Sequence, residues 1–198
     1  MNIMILAAGL SRRMGSAKLA LPMGRQTILQ RTVNNACLSR ADNVYVVLND
    51  DYDFLREDIE AFPVTCILNK YPEEGMSSSI KVGMKKVIQT DDDLMVMLAD
   101  QPDIKPDLIN RLIQSHQTSG SLITQPEYND GIGHPVIFSR PLFNELLKVE
   151  GDEGGKKIIR KYSHKRTLVM IDMEQPTDID TKEDYYRYLQ KDKVVENE

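Results

Sequence analysis

Short β-rich apolar runs alternate along this chain with longer stretches of helical periodicity. The runs fall at residues 2–7, 43–48, 64–68, 94–98, 121–124, 135–138 and 167–171. Within Val44-Tyr45-Val46-Val47-Leu48 the apolar residues are continuous rather than alternating, the pattern of a strand covered on both faces. Between the runs, residues 26–38 set Ile28, Leu29, Thr32, Val33, Ala36 and Cys37 at helical spacing. Residues 106–119 repeat the pattern with Leu108, Ile109, Leu112 and Ile113, and Ile80, Met84, Val87 and Ile88 continue it behind a serine cluster. Pro106 suits a first helical turn and Gly120 a stop. The alternation predicts one α/β domain on a mostly parallel sheet of about seven strands, joined by right-handed crossovers.

Ligands of such sheets gather beyond the carboxyl ends of the strands. The chain concentrates its chemistry there: residues 6–18 follow the first strand, 69–79 the third, Asp100-Gln101-Pro102 the fourth, and 178–181 come shortly after the last.

Composition narrows the field. A length of 198 residues with 41% hydrophobic content fits one globular domain, expected over 1–190, with 191–198 a charged tail that frays. The longest apolar runs, 3–8 and 94–99, fall far short of the ~20 residues that span a bilayer. Arg12 and Arg13 follow the first apolar run instead of preceding it, unlike a signal peptide, so a cytoplasmic protein without a membrane segment is expected. Cys37 and Cys66 lack CxxC spacing and neighbouring histidines, and read as buried reduced thiols. A formal net charge of -5 disfavours a nucleic-acid surface. Arg12, Arg13, Lys18 and Arg25 are then a local exception, the mark of a focused small-anion site.

The segment Leu6-Ala7-Ala8-Gly9-Leu10-Ser11-Arg12-Arg13-Met14-Gly15-Ser16-Ala17-Lys18 carries the strongest signal. Gly9 and Gly15 let backbone N–H groups approach phosphate oxygens, while Arg13 and Lys18 add fixed positive charge. The spacing matches neither a Walker A loop nor a dinucleotide fingerprint. Asp100 ends the very apolar strand 94–98, where a carboxylate is costly without donors or a cation. Magnesium, which takes one or two protein carboxylates and completes its shell with water and phosphates, meets that need. Asp178 and Asp180, two apart, offer a second carboxylate. Asp180 or Thr181 also suits a helix N-cap ahead of Glu183 and Asp184, which leaves Asp178 the marginally better metal candidate. Gly75-Met76-Ser77-Ser78-Ser79 opens a helix, as a cap or as donors to a nucleotide, with Ser77 and Ser78 the favoured contacts.

The string L-A-A-G-x-S-x-R-M-G-x-x-K resembles the signature loop of nucleotidyltransferases that include the molybdenum cofactor cytidylyltransferases and guanylyltransferases. Gly75-Met76-Ser77-Ser78-Ser79, Asp100-Gln101-Pro102, Gly133-His134-Pro135, Gly151-Asp152-x-Gly154 and Asp178-Ile179-Asp180-Thr181-x-Glu183-Asp184 extend that resemblance, most closely to the cytidylyltransferase branch. It implies a Rossmann-like three-layer fold of the nucleotide-diphospho-sugar transferase type. It further implies transfer of CMP from CTP to the terminal phosphate of molybdenum-molybdopterin, with Mg2+ as cofactor and pyrophosphate released. The implied catalytic residues are Arg13, Lys18 and Asp100. Leu6, Ala7, Ala8, Gly9, Ser11, Arg13, Gly15, Lys18, Ser77, Ser78 and Asp100 would bind nucleotide, and Asp100 with Asp178 or Asp180 the metal. His134, Pro135, Gly151, Asp152 and Gly154 would bind the acceptor, although Gly155 and Lys156 replace the family's usual Ala-Arg ending. Ala8 stands where the guanylyltransferases usually carry glycine, which favours CTP over GTP. Expected partners are CTP (or GTP), a phosphorylated pterin cofactor, and transiently a molybdenum hydroxylase or its maturation factor. A transferase for another phosphorylated acceptor and a non-catalytic cofactor carrier are the rival readings.

Overall fold

The computed structural model describes residues 1–10 and 17–195. Its elements in chain order are β1 (Asn2–Ala7), β2 (Pro22–Met23), β3 (Gln26–Thr27), α1 (Ile28–Cys37), β4 (Asn43–Asn49), α2 (Phe54–Asp58), β5 (Thr65–Asn69) and α3 (Met76–Val87). There follow β6 (Leu94–Leu98), α4 (Pro106–Ser119), β7 (Ile123–Tyr128), β8 (Gly131–Ile132), β9 (Val136–Phe138), α5 (Phe143–Leu146), α6 (Lys156–Lys161), β10 (Arg166–Met170) and α7 (Lys182–Val195).

The main sheet runs β10-β7-β9-β6-β1-β4-β5, with β8 appended to β7, and β2 and β3 form a separate hairpin. β9 is antiparallel to both neighbours, whereas β1 is parallel to β4 and β6, β4 to β5, and β7 to β10. The chain therefore steps from β1 outward to β4 and β5, then returns to lay β6 on the other side of β1. This reversal places a crevice at the carboxyl ends of β1 and β6, where open α/β sheets bind ligands.

Helices cover both faces, as the continuous apolar strands require. Alternate residues of β1 go to opposite sides: Ile3, Ile5 and Ala7 pack with Leu29 and Val33 of α1, Ile109 and Leu112 of α4, and Tyr185 and Tyr188 of α7. Met4 packs with Ile80 and Met84 of α3, Phe143 of α5 and Ile158 of α6. At Gly83 a Cβ would lie 2.6 Å from the Met4 side chain, so the glycine sets how closely α3 sits on β1.

Several boundaries differ from expectation, three of them by more than one residue. α1 starts at Ile28 because Thr27 accepts from the Gln30 amide at 3.1 Å while the Gln30 side chain accepts from the Thr27 amide at 2.9 Å, a reciprocal cap that pins the start. β7 extends to Tyr128 through Pro126. That proline lies between the residues paired with β9 (Ile123, Thr124) and those paired with β8 (Glu127, Tyr128), where a missing donor is tolerated. α7 continues to Val195, so residues 191–195 prolong the helix instead of leaving it at 190.

Candidate active site

The β1–β6 crevice opens into a cleft of about 580 Å³. Leu6, Ala7, Ala8 and Gly9 line it from the end of β1, Gly75, Met76 and Ser79 from the start of α3, and Lys18, Asp100, Asp152, Asp178 and Asp180 supply its charged lining, with Lys18, Asp100 and Asp180 meeting at its floor. A Cβ at Gly9 would meet no described atom within 4 Å, so the backbone there borders open space. Ser11, Arg12, Arg13 and Gly15 lie outside the described residues.

The loop after β6 is held on several sides. The Ala99 amide donates to the Leu6 carbonyl at 3.1 Å, continuing the parallel ladder past the strand end. Thr32 donates to the Ala99 carbonyl at 2.9 Å and Asn35 to that of Pro102 at 3.0 Å, so polar positions of α1 grip the loop. From the other side the Ile179 amide donates to the Asp100 carbonyl at 3.1 Å. Asp100 is thereby presented to the cleft by a backbone with little freedom.

Lys18 is only 8% exposed. Its Nζ lies 2.7 Å from Oδ2 of Asp100 and 2.7 Å from Oδ1 of Asp180. Burial by itself would lower the Lys18 pKa, but the two carboxylates outweigh it and hold the ammonium above the ordinary lysine value. Asp178 moves the other way for a carboxylate: partial burial, then the charges of Asp100 and Asp180, raise its pKa against the opposing hydrogen bond from Gln101 and the charge of Lys18. The floor is thus a place where carboxylates converge on one cation.

Several residues singled out from the sequence occupy different places around this floor. Ser77 and Ser78 are buried, Ser78 donating to the Gly75 carbonyl at 2.9 Å and accepting from Asn69 at 2.8 Å. Ser79 and Met76 face the cleft instead. Of the two C-terminal aspartates, Asp180 meets Lys18 and Asp178 accepts from Gln101 at 2.6 Å. Thr181 is the cap of α7, exchanging hydrogen bonds with Asp184 at 2.9 and 3.1 Å.

Of the acceptor candidates, Asp152 lines the cleft, whereas His134, Pro135, Gly151 and Gly154 are not among its lining residues. Gly75, at φ +87, leaves space for Asp152: a Cβ there would lie 2.2 Å from the Asp152 carboxylate, which accepts from the Met76 amide at 3.2 Å. Gly154 rests against Met76, and Gly151 begins the same turn. His134 precedes β9 and its carbonyl accepts from the Tyr128 hydroxyl at 2.7 Å. Burial first, then the charge of Lys156, lowers the His134 pKa against the backbone of Val96 and the charge of Asp100, and the imidazole is neutral at pH 7. Its Nδ1 is buried without a partner among the described residues. Pro135 is buried next to it.

Sequence reasoning missed Ser79, Met76, Pro72 and Glu73 as cleft residues. The first two were findable: positions three apart share a helix face, so Met76 and Ser79 must point together while Ser77 and Ser78 turn away.

A cleft at the switch point of a mostly parallel sheet, with a lysine between two carboxylates at the ends of its strands, is the setting in which α/β domains bind nucleotides, and the family match identifies a nucleotidyltransferase. The chain belongs to the family of the MobA-like NTP transferase domain, whose sequence profile matches residues 3–167. It is 29% identical over 190 residues to the purine catabolism protein PucB of Bacillus subtilis, covering 91% of each chain. It is 26% identical over 191 residues to the molybdenum cofactor cytidylyltransferase of Escherichia coli, covering 93% of this chain and 96% of the relative. The solved Rv0371c homologue from Mycobacterium sp. strain JC1 superposes with a TM-score of 0.89 at 32% identity, over 98% and 97% of the two chains. Rv0371c of Mycobacterium tuberculosis in complex with manganese does so at 0.83 and 28%, over 96% and 97%.

Proposed function

We propose that this nucleotidyltransferase joins CMP from CTP to the terminal phosphate of molybdenum-molybdopterin and releases pyrophosphate. The observation that carries the reading is the convergence of Asp100 and Asp180 on one cationic point beneath the Ala7-Ala8-Gly9 backbone. The likeness to the E. coli cytidylyltransferase along nearly the whole chain supports the acceptor. Ala8, buried at the cleft wall, supports the smaller base.

The site is consistent with a divalent cation. Among the described residues, one oxygen of Asp100 and one of Asp180 already face the same positive charge, the Lys18 ammonium, each at 2.7 Å. Asp100 and Asp180 would hold the ion, and magnesium suits an oxygen site with two protein carboxylates. Such an ion, when bound, offsets the charge of the triphosphate and of the departing pyrophosphate.

The chain's own residues do the rest by alignment and charge. A phosphate monoester is largely dianionic at pH 7, its second pKa being about 6, so the acceptor needs no base to become a nucleophile. What opposes reaction is repulsion between it and the triphosphate. Lys18, held protonated by its two partners, sets a positive charge on the cleft floor. The amides around Gly9 and Arg13 add donors to the phosphate tail. His134, neutral, binds the acceptor and transfers no proton.

Pyrophosphate release from CTP and from GTP, each with the molybdenum-loaded pterin, tests the reading: CTP is expected to react faster, and equal rates would defeat the base assignment. Asp100→Asn is expected to abolish turnover and leave cofactor retention nearly intact. A carrier would instead show no nucleotide-dependent activity to lose.

A further inference from the structure

Asp178 and Asp180 lie two apart in a segment without helix or strand, so neither periodicity nor spacing distinguishes them. Contacts with the loop after β6 do. The Ile179 amide donates to the Asp100 carbonyl at 3.1 Å, and the Ile179 side chain is fully buried in the core. On one side of that anchor Gln101 donates through Nε2 to Oδ1 of Asp178 at 2.6 Å; on the other, Asp180 reaches Lys18.

Gln101 is an unusual residue to find in this role. It is 7% exposed, and its Oε1 is buried with no hydrogen-bond partner among the described residues. The orientation follows from chemistry, since an ionised carboxylate only accepts and the amide must turn its NH2 toward Asp178. The amide is thereby committed to Asp178, which its Nε2 reaches at 2.6 Å.

We propose that Gln101 is a positioning residue that engages Asp178 and so leaves Asp180, rather than Asp178, to stand with Asp100 as the carboxylate pair of the divalent-cation site. The inference rests on the reading of Asp100 and Asp180 as a divalent-metal site. Without the Gln101 amide, Asp178 is free to turn toward the same charge, and a third carboxylate then crowds Asp100 and Asp180. Neighbours that orient ligands in this way typically alter metal affinity about 10–100-fold when removed.

Titration of the full-length protein with Mn2+, followed by electron paramagnetic resonance of the free ion, tests this. The wild type, Gln101→Leu, Asp178→Asn and the double variant are compared, each checked for folding by its thermal midpoint in chelator. Gln101→Leu is expected to bind Mn2+ at least ~10-fold more weakly. The double variant is expected to recover most of that loss, because without the Asp178 charge there is nothing left to divert. Gln101→Asn, one methylene too short for the contact, is expected to lie between wild type and Gln101→Leu, and it carries the test if the leucine variant does not fold. Unchanged Mn2+ affinity in a folded Gln101 variant, or a double variant no better than the single, overturns the proposal. A wild type that binds no Mn2+ overturns the metal site itself and the inference with it.

Discussion

Lys18 holds a buried ammonium between two carboxylates, an arrangement that is stable only as a set. Removing the lysine takes away the ammonium that both Asp100 and Asp180 contact at 2.7 Å. Lys18→Ala is therefore expected to lower turnover by more than the ~10-fold that 1.4 kcal/mol represents, read as steady-state pyrophosphate release. Unchanged kinetics would reduce Lys18 to a structural ion pair. Because its folded pKa is raised, the stability it contributes is fully present below the unfolded lysine value of about 10.4. That stability is lost only as pH rises through the folded value, so the pair is intact across the neutral range. Ala8 works through shape alone. One methyl group changes selectivity by about 1–3 kcal/mol, and Ala8→Gly is expected to shift the ratio of kcat/KM for CTP over GTP toward GTP by ~10-fold. A ratio that does not move would remove Ala8 from base selection.

At the scale of elements, the cleft depends on helices that bring polar groups to strand ends. Thr32 and Asn35 lie on the sheet-facing side of α1 yet bond to the loop after β6, so the same helix that fills the core also positions Asp100. A polar network at the opposite end of the sheet performs a similar task. His116 of α4 contacts Thr124 of β7 at 2.8 Å, Asp93 ahead of β6 at 3.2 Å and Ser139 behind β9 at 3.2 Å. Asp93 also accepts from the Arg140 amide at 2.7 Å. The His116 hydrogen bond, then the Arg140 amide, hold the Asp93 pKa below the usual carboxylate value against partial burial. A depressed folded pKa contributes stability above the unfolded value near ~3.9 that disappears as pH falls through the folded one. Asp93→Asn is accordingly expected to destabilise the protein by about 1 kcal/mol at pH 7, with the difference in thermal midpoint closing below about pH 4. A difference that persists in acid would place its origin in packing rather than charge. Neither network was legible in the sequence. Periodicity reports which face a residue occupies, whereas these bonds join residues that approach only after the strands have paired.

For the whole molecule, the strand order decides where everything meets. Paired residues of β1 and β6, such as Asn2 and Leu94, are 92 positions apart in sequence yet lie side by side, and the loops that follow the two strands share one cleft because both run in the same direction. Nucleotide binding should therefore be felt by the entire domain. Binding at a ligand concentration 100 times Kd contributes about 2.7 kcal/mol, which for a domain of this size raises the thermal midpoint by about 5–10 °C. In a panel of CTP, GTP, UTP and ATP with magnesium, CTP is expected to produce the largest shift, and a uniform response would remove the base preference.

The chain alone determined that strands and helices alternate, that the strands are covered on both faces, and that a basic glycine loop and an aspartate follow two of them. Those features are local: apolar spacing, a proline, a glycine or a cap is complete within one turn or one strand. Tertiary structure decided that β9 runs antiparallel, that Met76 and Ser79 face the cleft, and that Asp180 is the aspartate beside Lys18. The Lys18 contacts span 82 and 162 residues. Contacts so distant are set by sheet order, by the anchor at Ile179 and by competition among neighbouring carboxylates, none of which has a period along the sequence.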